Sequence, residues 1–263
     1  MPSILSTDKK EGRCRICGKI GKLTKEHVIP RNAGGGEKVK LYNTTDVLEK
    51  GKNARYNIKQ NGLAARTLCA DCNNLIGREY DEDFGLFYKV INMGVNNSIK
   101  DLIEKGEIKD ETDLKDKSLE FTIKKIRPFN IAKRILASFC SIDHENLVDR
   151  IPEIRKAILD PKYIPDAKDF SLYFSLKFGN DAFFATIAAI KTGGKTEAFA
   201  GIESIYTGFY LKEARLNEDY PDSLGKSLNI TNWLTDFEPY KEYDMKFIMP
   251  FVMNMALPIP LDK

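Results

Sequence analysis

The spacing of apolar residues changes period along the chain, from a helical repeat in the first half to strand alternation in the second. Ile76, Tyr80, Phe84, Phe87, Tyr88 and Ile91 recur every three or four positions, which predicts a helix over about 70–92. Residues 94–117 are polar and charged, and we read them as a linker or surface excursion marking a domain boundary. Leu119 to Ile123 alternates like a strand. Pro128 and Asn130 then introduce a helix whose apolar face is Ile131, Ile135, Leu136 and Phe139. From residue 170 the period becomes two. Phe170, Leu172, Phe174, Leu176 and Phe178 alternate with Ser171, Tyr173, Ser175 and Lys177, as in a half-buried strand. Three further runs follow: DAFFATIAAIKT after the turn signal Gly179-Asn180, KTEAFAGI after Gly193-Gly194, and SIYTGFYLKE after Glu203. Together they predict an antiparallel meander. The expected class is α+β, with a small N-terminal module and a C-terminal α+β domain over 118–263. The sequence has no internal repeat and no low-complexity tract.

At 263 residues, with 42% hydrophobic side chains, the chain can bury a substantial core. The first residues, PSILSTDKKEG, hold no apolar stretch of the kind a secretory signal needs. The apolar run from Phe247 to Leu261 is interrupted by Pro250, Pro258 and Pro260 and falls short of a membrane span. Five cysteines, four of them paired at close spacing, fit a reducing compartment better than a disulfide framework, so a cytoplasmic protein without membrane contact is expected. The net charge of +3 is unevenly spread. Residues 1–80 carry 16 Lys/Arg against 8 Asp/Glu, and residues 81–263 carry 25 against 30. A basic first third points to a polyanionic partner there.

The cysteines sharpen that picture. Cys14 and Cys17 form one CxxC pair, Cys69 and Cys72 a second, and Glu26-His27-Val28-Ile29-Pro30 lies between them. Two such pairs complete a closed tetrahedral thiolate shell, the chemistry of a structural zinc with no position open for a substrate. Zinc binding would then help fold residues 10–80. Any reaction must come from other side chains, and His27, Glu26 and Asn73 are the candidates. Cys140, in the run ILASFC, is left over and reads as a buried, inert thiol.

The pattern CRICGK, then LTKEHVIPRNAGGG, then ARTLCADCNNLIGREYDEDF resembles the HNH endonucleases, the zinc-braced branch of the ββα-metal nuclease fold. The matching residues run from 14 to about 85, so the module would occupy residues 1–93. The 51 residues between Cys17 and Cys69 exceed what a minimal module needs, which places an inserted hairpin or loop around 37–60. Asn61 is the candidate for the family's middle asparagine. The resemblance implies that His27 is the general base and that Asn73 holds Mg²⁺ or Mn²⁺, with Glu26 adding a carboxylate. It also implies a DNA substrate, with RNA an open alternative; Lys25, Arg31 and Arg66 flank the signature and are the candidates to grip its phosphates. The C-terminal domain would position the nuclease through target recognition, self-association or a protein partner, and defence against foreign DNA would suit such an arrangement. The competing expectation is a zinc module without catalysis that binds nucleic acid or a protein.

Several residues carry blander readings. Asn74 is either a second ligand or a bonding group in the first helical turn. Asp81, among Glu79, Glu82 and Asp83, reads as solvated surface, and His144 as a surface residue at a helix end. Gly193-Gly194-Lys195-Thr196 ends like a phosphate-binding loop. However, Ala189 stands where that loop needs glycine and strands flank it, so it is a hairpin turn.

Overall fold

The computed structural model describes residues 9–36, 38–42, 56–109, 113–114, 117–143, 146–178, 183–192, 195–204, 206–214 and 227–253. Gly179-Asn180, Gly193-Gly194 and His144 lie outside them. Helices and largely antiparallel sheets are mixed, as the α+β expectation requires.

The N-terminal part opens with three strands in the order β1-β2-β5: β1 (Glu11–Arg13), β2 (Ile20–His27) and β5 (Ala64–Cys69). Between β2 and β5 the chain makes the expected excursion, a two-stranded ribbon of β3 (Val39–Tyr42) and β4 (Tyr56–Lys59). β5 runs without a break into helix α1 (Ala70–Glu79). The glycine-rich turn after Pro30 folds tightly back on the strand end. Gly34 takes a left-handed conformation (φ 83°), and a Cβ on Gly35 would overlap the Ile29 carbonyl.

The helix expected over 70–92 is two helices, broken at Tyr80. Its ring is fully buried and its hydroxyl donates to the Ile158 carbonyl at 2.9 Å. The second, α2, spans Asp81–Glu104, so residues 94–104, read from sequence as linker, are helical, with Val95 and Ile99 buried. α2 crosses both parts of the molecule. At its start the Asn32 side chain donates to the Asp81 carbonyl at 2.8 Å and lies against Gly85. Further along, Phe87 packs edge-on against Phe174 at 5.3 Å and Trp233 at 5.5 Å.

The larger sheet has seven strands. Its main order is β6-β12-β7-β10-β9-β8, with β6 (Ser118–Ile126), β7 (Phe170–Phe178), β8 (Phe183–Thr192), β9 (Lys195–Ser204), β10 (Thr207–Glu213) and β12 (Tyr243–Met253). The short β11 (Leu228–Asn229) pairs with β7. β8, β9 and β10 form the expected meander, but β7 pairs with β10 instead of β8. Thr192 stands opposite Lys195, so the strands on either side of Gly193-Gly194 pair as a hairpin. β12 enters between β6, antiparallel, and β7, parallel.

Residues 172–177 of β7 are buried on both faces, not one. The polar face carries its own network. Lys177 lies 3.6 Å from Glu203, Tyr210 donates to Glu203 at 2.9 Å, and Ser175 to Ser227 at 2.6 Å. Those partners allow polar side chains to sit inside a sheet core.

Helix α3 (Pro128–Ile142) is buried along its whole length and packs between the sheets and two short helices, α4 (Leu147–Arg150) and α5 (Pro152–Leu159). Side chains from Cys14 to Met249 join one hydrophobic cluster, so the segments 1–93 and 118–263 meet in a common core. Cys140 is buried there, and burial pushes its thiol pKa up. Among the described residues no helix is long and apolar enough to cross a membrane.

α3 also buries Lys133, whose ammonium donates to the carbonyls of Asp160 and Pro161 at 2.8 and 3.0 Å, just past the end of α5. Burial lowers its pKa to about 7, with Asp160 opposing the shift. Between pH 7 and the ordinary lysine value of 10.5 the unfolded chain therefore binds more protons than the folded one. Stability contributed by this site rises with pH across that window. Urea unfolding at pH 7 and pH 9 should show the wild type gaining about 2 kcal/mol relative to Lys133→Met. Equal pH dependence in the two proteins would contradict this account of Lys133.

Candidate metal centre and active site

β2 and β5 pair antiparallel, with Leu23 opposite Cys69. This pairing carries the second cysteine pair to the loop that holds the first. The Sγ atoms of Cys14, Cys17, Cys69 and Cys72 all lie within 4.8 Å of one another, and Cys17 and Cys69 are 3.7 Å apart. Four sulfurs about 2.3 Å from a tetrahedral zinc stand about 3.8 Å from each other, so the spacing fits a structural metal ion such as zinc. Cys14 and Cys72 are buried and Cys17 and Cys69 half-buried. A hydrogen bond from Cys72 holds the Cys14 thiol down, and the same bond pushes Cys72 up. A thiophilic cation would stabilise all four as thiolates.

The cysteine loop is fastened to the helices of the C-terminal half. Arg13 makes a two-pronged pair with Asp149 at 2.6 and 3.0 Å. Arg155 reaches both Asp149, at 2.5 Å, and the Ile16 carbonyl, at 3.0 Å. Arg15 donates to the Ser141 carbonyl at 2.7 Å. The ion pairs are solvent-exposed and individually weak. The bonds to backbone carbonyls set the register of the loop on α3 and α5.

β2 ends on Glu26 and His27, and strand alternation sends their side chains to opposite faces. Lys25 lies opposite Arg66 and His27 opposite Ala64, so Lys25, His27 and Arg66 share the outer face. His27 is half-buried. Its Nε2 lies 3.0 Å from the Asn61 carbonyl. A carbonyl only accepts, so Nε2 carries the proton and Nδ1 keeps its lone pair. The Arg31 Nε, at 3.5 Å, is then a nearby positive charge and not a donor to that ring atom. Burial lowers the His27 pKa below its ordinary 6.5, and Arg31 and Lys25 push it the same way against the Asn61 carbonyl, so the ring is held neutral.

Glu26 points inward and is buried. Its Oε1 accepts from Arg134 Nη2 at 3.0 Å. Burial raises its pKa to about 7, and Arg134 offsets only part of that. Asn73, in the first turn of α1, donates through Nδ2 to Thr24 Oγ1 at 3.1 Å. That bond turns the amide so that Oδ1 is the atom left over. Asn73 thus meets β2 at Thr24, beside the irregularity in the β2-β5 ladder between Thr24 and Lys25. An amide oxygen and a carboxylate are hard donors of the kind Mg²⁺ and Mn²⁺ take. Asn74 is exposed, and Arg66 donates to the Leu23 carbonyl at 3.2 Å.

The sequence reading of Asp81 as solvated surface is corrected. Its carboxylate accepts from Arg134 Nε at 2.5 Å. Arg134 was not singled out at all. A cation inside the otherwise apolar run PFNIAKRILASFC was the available signal, because such a helix buries its charges only against partners.

The metal reading has a direct check. Protein purified without added metal should contain about one zinc per chain by elemental analysis. Cys69→Ser should lose the metal and with it the ordered β1-β2-β5 sheet, seen as lower solubility and a lower melting temperature. A well-folded, zinc-free wild type would contradict it.

No family model, no curated protein and no solved structure matches this chain, so its functional reading rests on the geometry of this site.

Proposed function

We propose that this chain is a metal-dependent endonuclease of the HNH type, hydrolysing phosphodiester bonds in DNA. The observation that carries the reading is the placement of His27: an imidazole at a strand end, fixed through Nε2 by the Asn61 carbonyl so that Nδ1 would be the base. The strand, strand and helix order around the thiolate cluster agrees with it. His27 Nδ1 would take a proton from water, which attacks the phosphorus. Asn73 Oδ1 and the Glu26 carboxylate would hold a divalent cation, which neutralises charge on the phosphate and the departing 3′ oxygen. In-line displacement places attacking and leaving oxygens on opposite sides of phosphorus. Lys25, Arg31 and Arg66 surround His27 with positive charge for neighbouring phosphates. The alternative is a zinc module that binds nucleic acid or a protein without cleaving. It draws support from Glu26, one of whose oxygens is already occupied by Arg134.

The two readings separate on one comparison. His27→Ala should reduce plasmid cleavage by about 10²- to 10⁴-fold while zinc content, folding and DNA affinity stay near wild type. Asn73→Ala should act likewise, with partial rescue by Mn²⁺. Undiminished cleavage by His27→Ala would put the active site elsewhere.

The outer face of β2 generates a second test. If Lys25 and Arg66 each meet a phosphate, the double variant Lys25→Ala/Arg66→Ala should weaken binding to unrelated duplexes equally. Its slope of log affinity against log salt should be shallower by about 2. An unchanged slope would remove both residues from the nucleic-acid surface.

A further inference from the structure

Arg134 is a guanidinium with a side chain only 1% exposed, and two of its four bonds go to the candidate site, to Glu26 and His27. Nε donates to Asp81 at the start of α2, and Nη1 to Ser138 Oγ at 2.7 Å. Nη2 donates both to Glu26 Oε1 at 3.0 Å and to the His27 carbonyl at 3.1 Å. Ser138, one turn along α3, donates in turn to the Val28 carbonyl at 2.7 Å. Three consecutive residues of the Glu-His-Val signature are therefore gripped from one helix of the C-terminal half. The fork is planar and rigid, so its bonds to Asp81 and Glu26 set the direction of the Glu26 carboxylate. One oxygen of Glu26, Oε1, is held, and Asn73 meets the same strand two residues earlier, at Thr24.

We propose that Arg134 is the positioning residue of this site: it restricts Glu26 to single-oxygen ligation of the divalent cation and fixes the backbone of His27 beside it. The proposal rests on the nuclease reading and deepens it. It also gives α3 a role in the reaction, as the element through which the C-terminal half holds the cation site in its working geometry. A partner that orders metal-ligating side chains from behind typically changes metal affinity or activity by about 10- to 100-fold when it is altered.

The test uses the full-length, zinc-loaded protein with Mn²⁺ as the probe, followed by paramagnetic resonance and calorimetry, and supercoiled plasmid as substrate. Arg134→Lys keeps the positive charge and loses the fork. It should weaken Mn²⁺ binding and lower kcat, each by about 10- to 100-fold, with KM for plasmid and zinc content near wild type. Glu26→Gln should lose the same Mn²⁺ binding, which ties the measured ion to this site. A folded Arg134→Lys with wild-type Mn²⁺ affinity and kcat would overturn the proposal. Tighter Mn²⁺ binding would also overturn it, because Arg134 would then be competing with the cation. Should Arg134→Lys fail to fold, Asp81→Asn decides. It removes the negative charge paired with Nε at a part-exposed side chain, and the companion Asp81→Ala removes the acceptor as well; both should shift the two readouts in the same direction by a smaller factor. Unchanged values would overturn the proposal. A wild type that binds Mn²⁺ at Glu26 but cleaves no DNA would sink the nuclease reading alone, and the Mn²⁺ comparison would still judge Arg134. A wild type that binds no Mn²⁺ would sink both.

Discussion

A guanidinium cannot be buried without partners, and the way Arg134 obtains them ties the molecule together. Its donors are met by a carboxylate on β2, a carboxylate at the start of α2, a hydroxyl on its own helix and a backbone carbonyl. These groups come from positions 26, 27, 81 and 138, so the charge is satisfied only when the strand, both helices and the turn between α1 and α2 are in place. Breaking such a cluster from one side leaves charge uncompensated in the interior, which typically costs about 3–5 kcal/mol. The same bonds that make Arg134 tolerable inside also fix the end of β2, where Glu26 and His27 stand.

The thiolate cluster and α2 extend that anchoring in two directions. The cysteine pairs close the far end of the β1-β2-β5 sheet. Arg15 and Arg155 then hold the metal loop against α3 and α5 through backbone carbonyls. α2 carries the connection onward to the large sheet, through Phe87 and the Tyr206 hydroxyl, which donates to Asn96 at 3.0 Å. The cysteine-bearing sheet and the C-terminal half are thus parts of one packed body, and substitutions in α3 should be felt at His27.

What the sequence made legible was local in character. CxxC spacing, the apolar repeat on either side of Tyr80 and the two-residue alternation of β7 depend only on neighbours, and each corresponds to an element of the fold. Asn61, which the family resemblance offers as the middle asparagine, has its backbone carbonyl 3.0 Å from His27 Nε2. The features that were not legible depend on distant partners. The break at Tyr80 reflects a hydroxyl bond to Ile158, and the polar face of β7 is buried because Glu203 and Ser227 meet Lys177 and Ser175. The continuation of α2 to Glu104 was hidden by a polar stretch with only Val95 and Ile99 to mark the buried side. β12 slots between β6 and β7 from the far end of the described chain, a pairing no local pattern announces. Asp81 looked like one acid among four until Arg134 stood opposite it.

Under the proposed function the two metal roles are separate: cysteines would hold a structural ion, and oxygen donors would hold the ion that serves the reaction. Incubation of zinc-loaded wild-type protein with supercoiled plasmid, with Mg²⁺, with Mn²⁺ and with a chelator that leaves zinc bound, tests that separation directly. The account predicts nicked or linear product only when Mg²⁺ or Mn²⁺ is free in solution, with zinc content equal in every arm. Cleavage that persists in chelator, or no cleavage of any DNA or RNA with either cation, would contradict it.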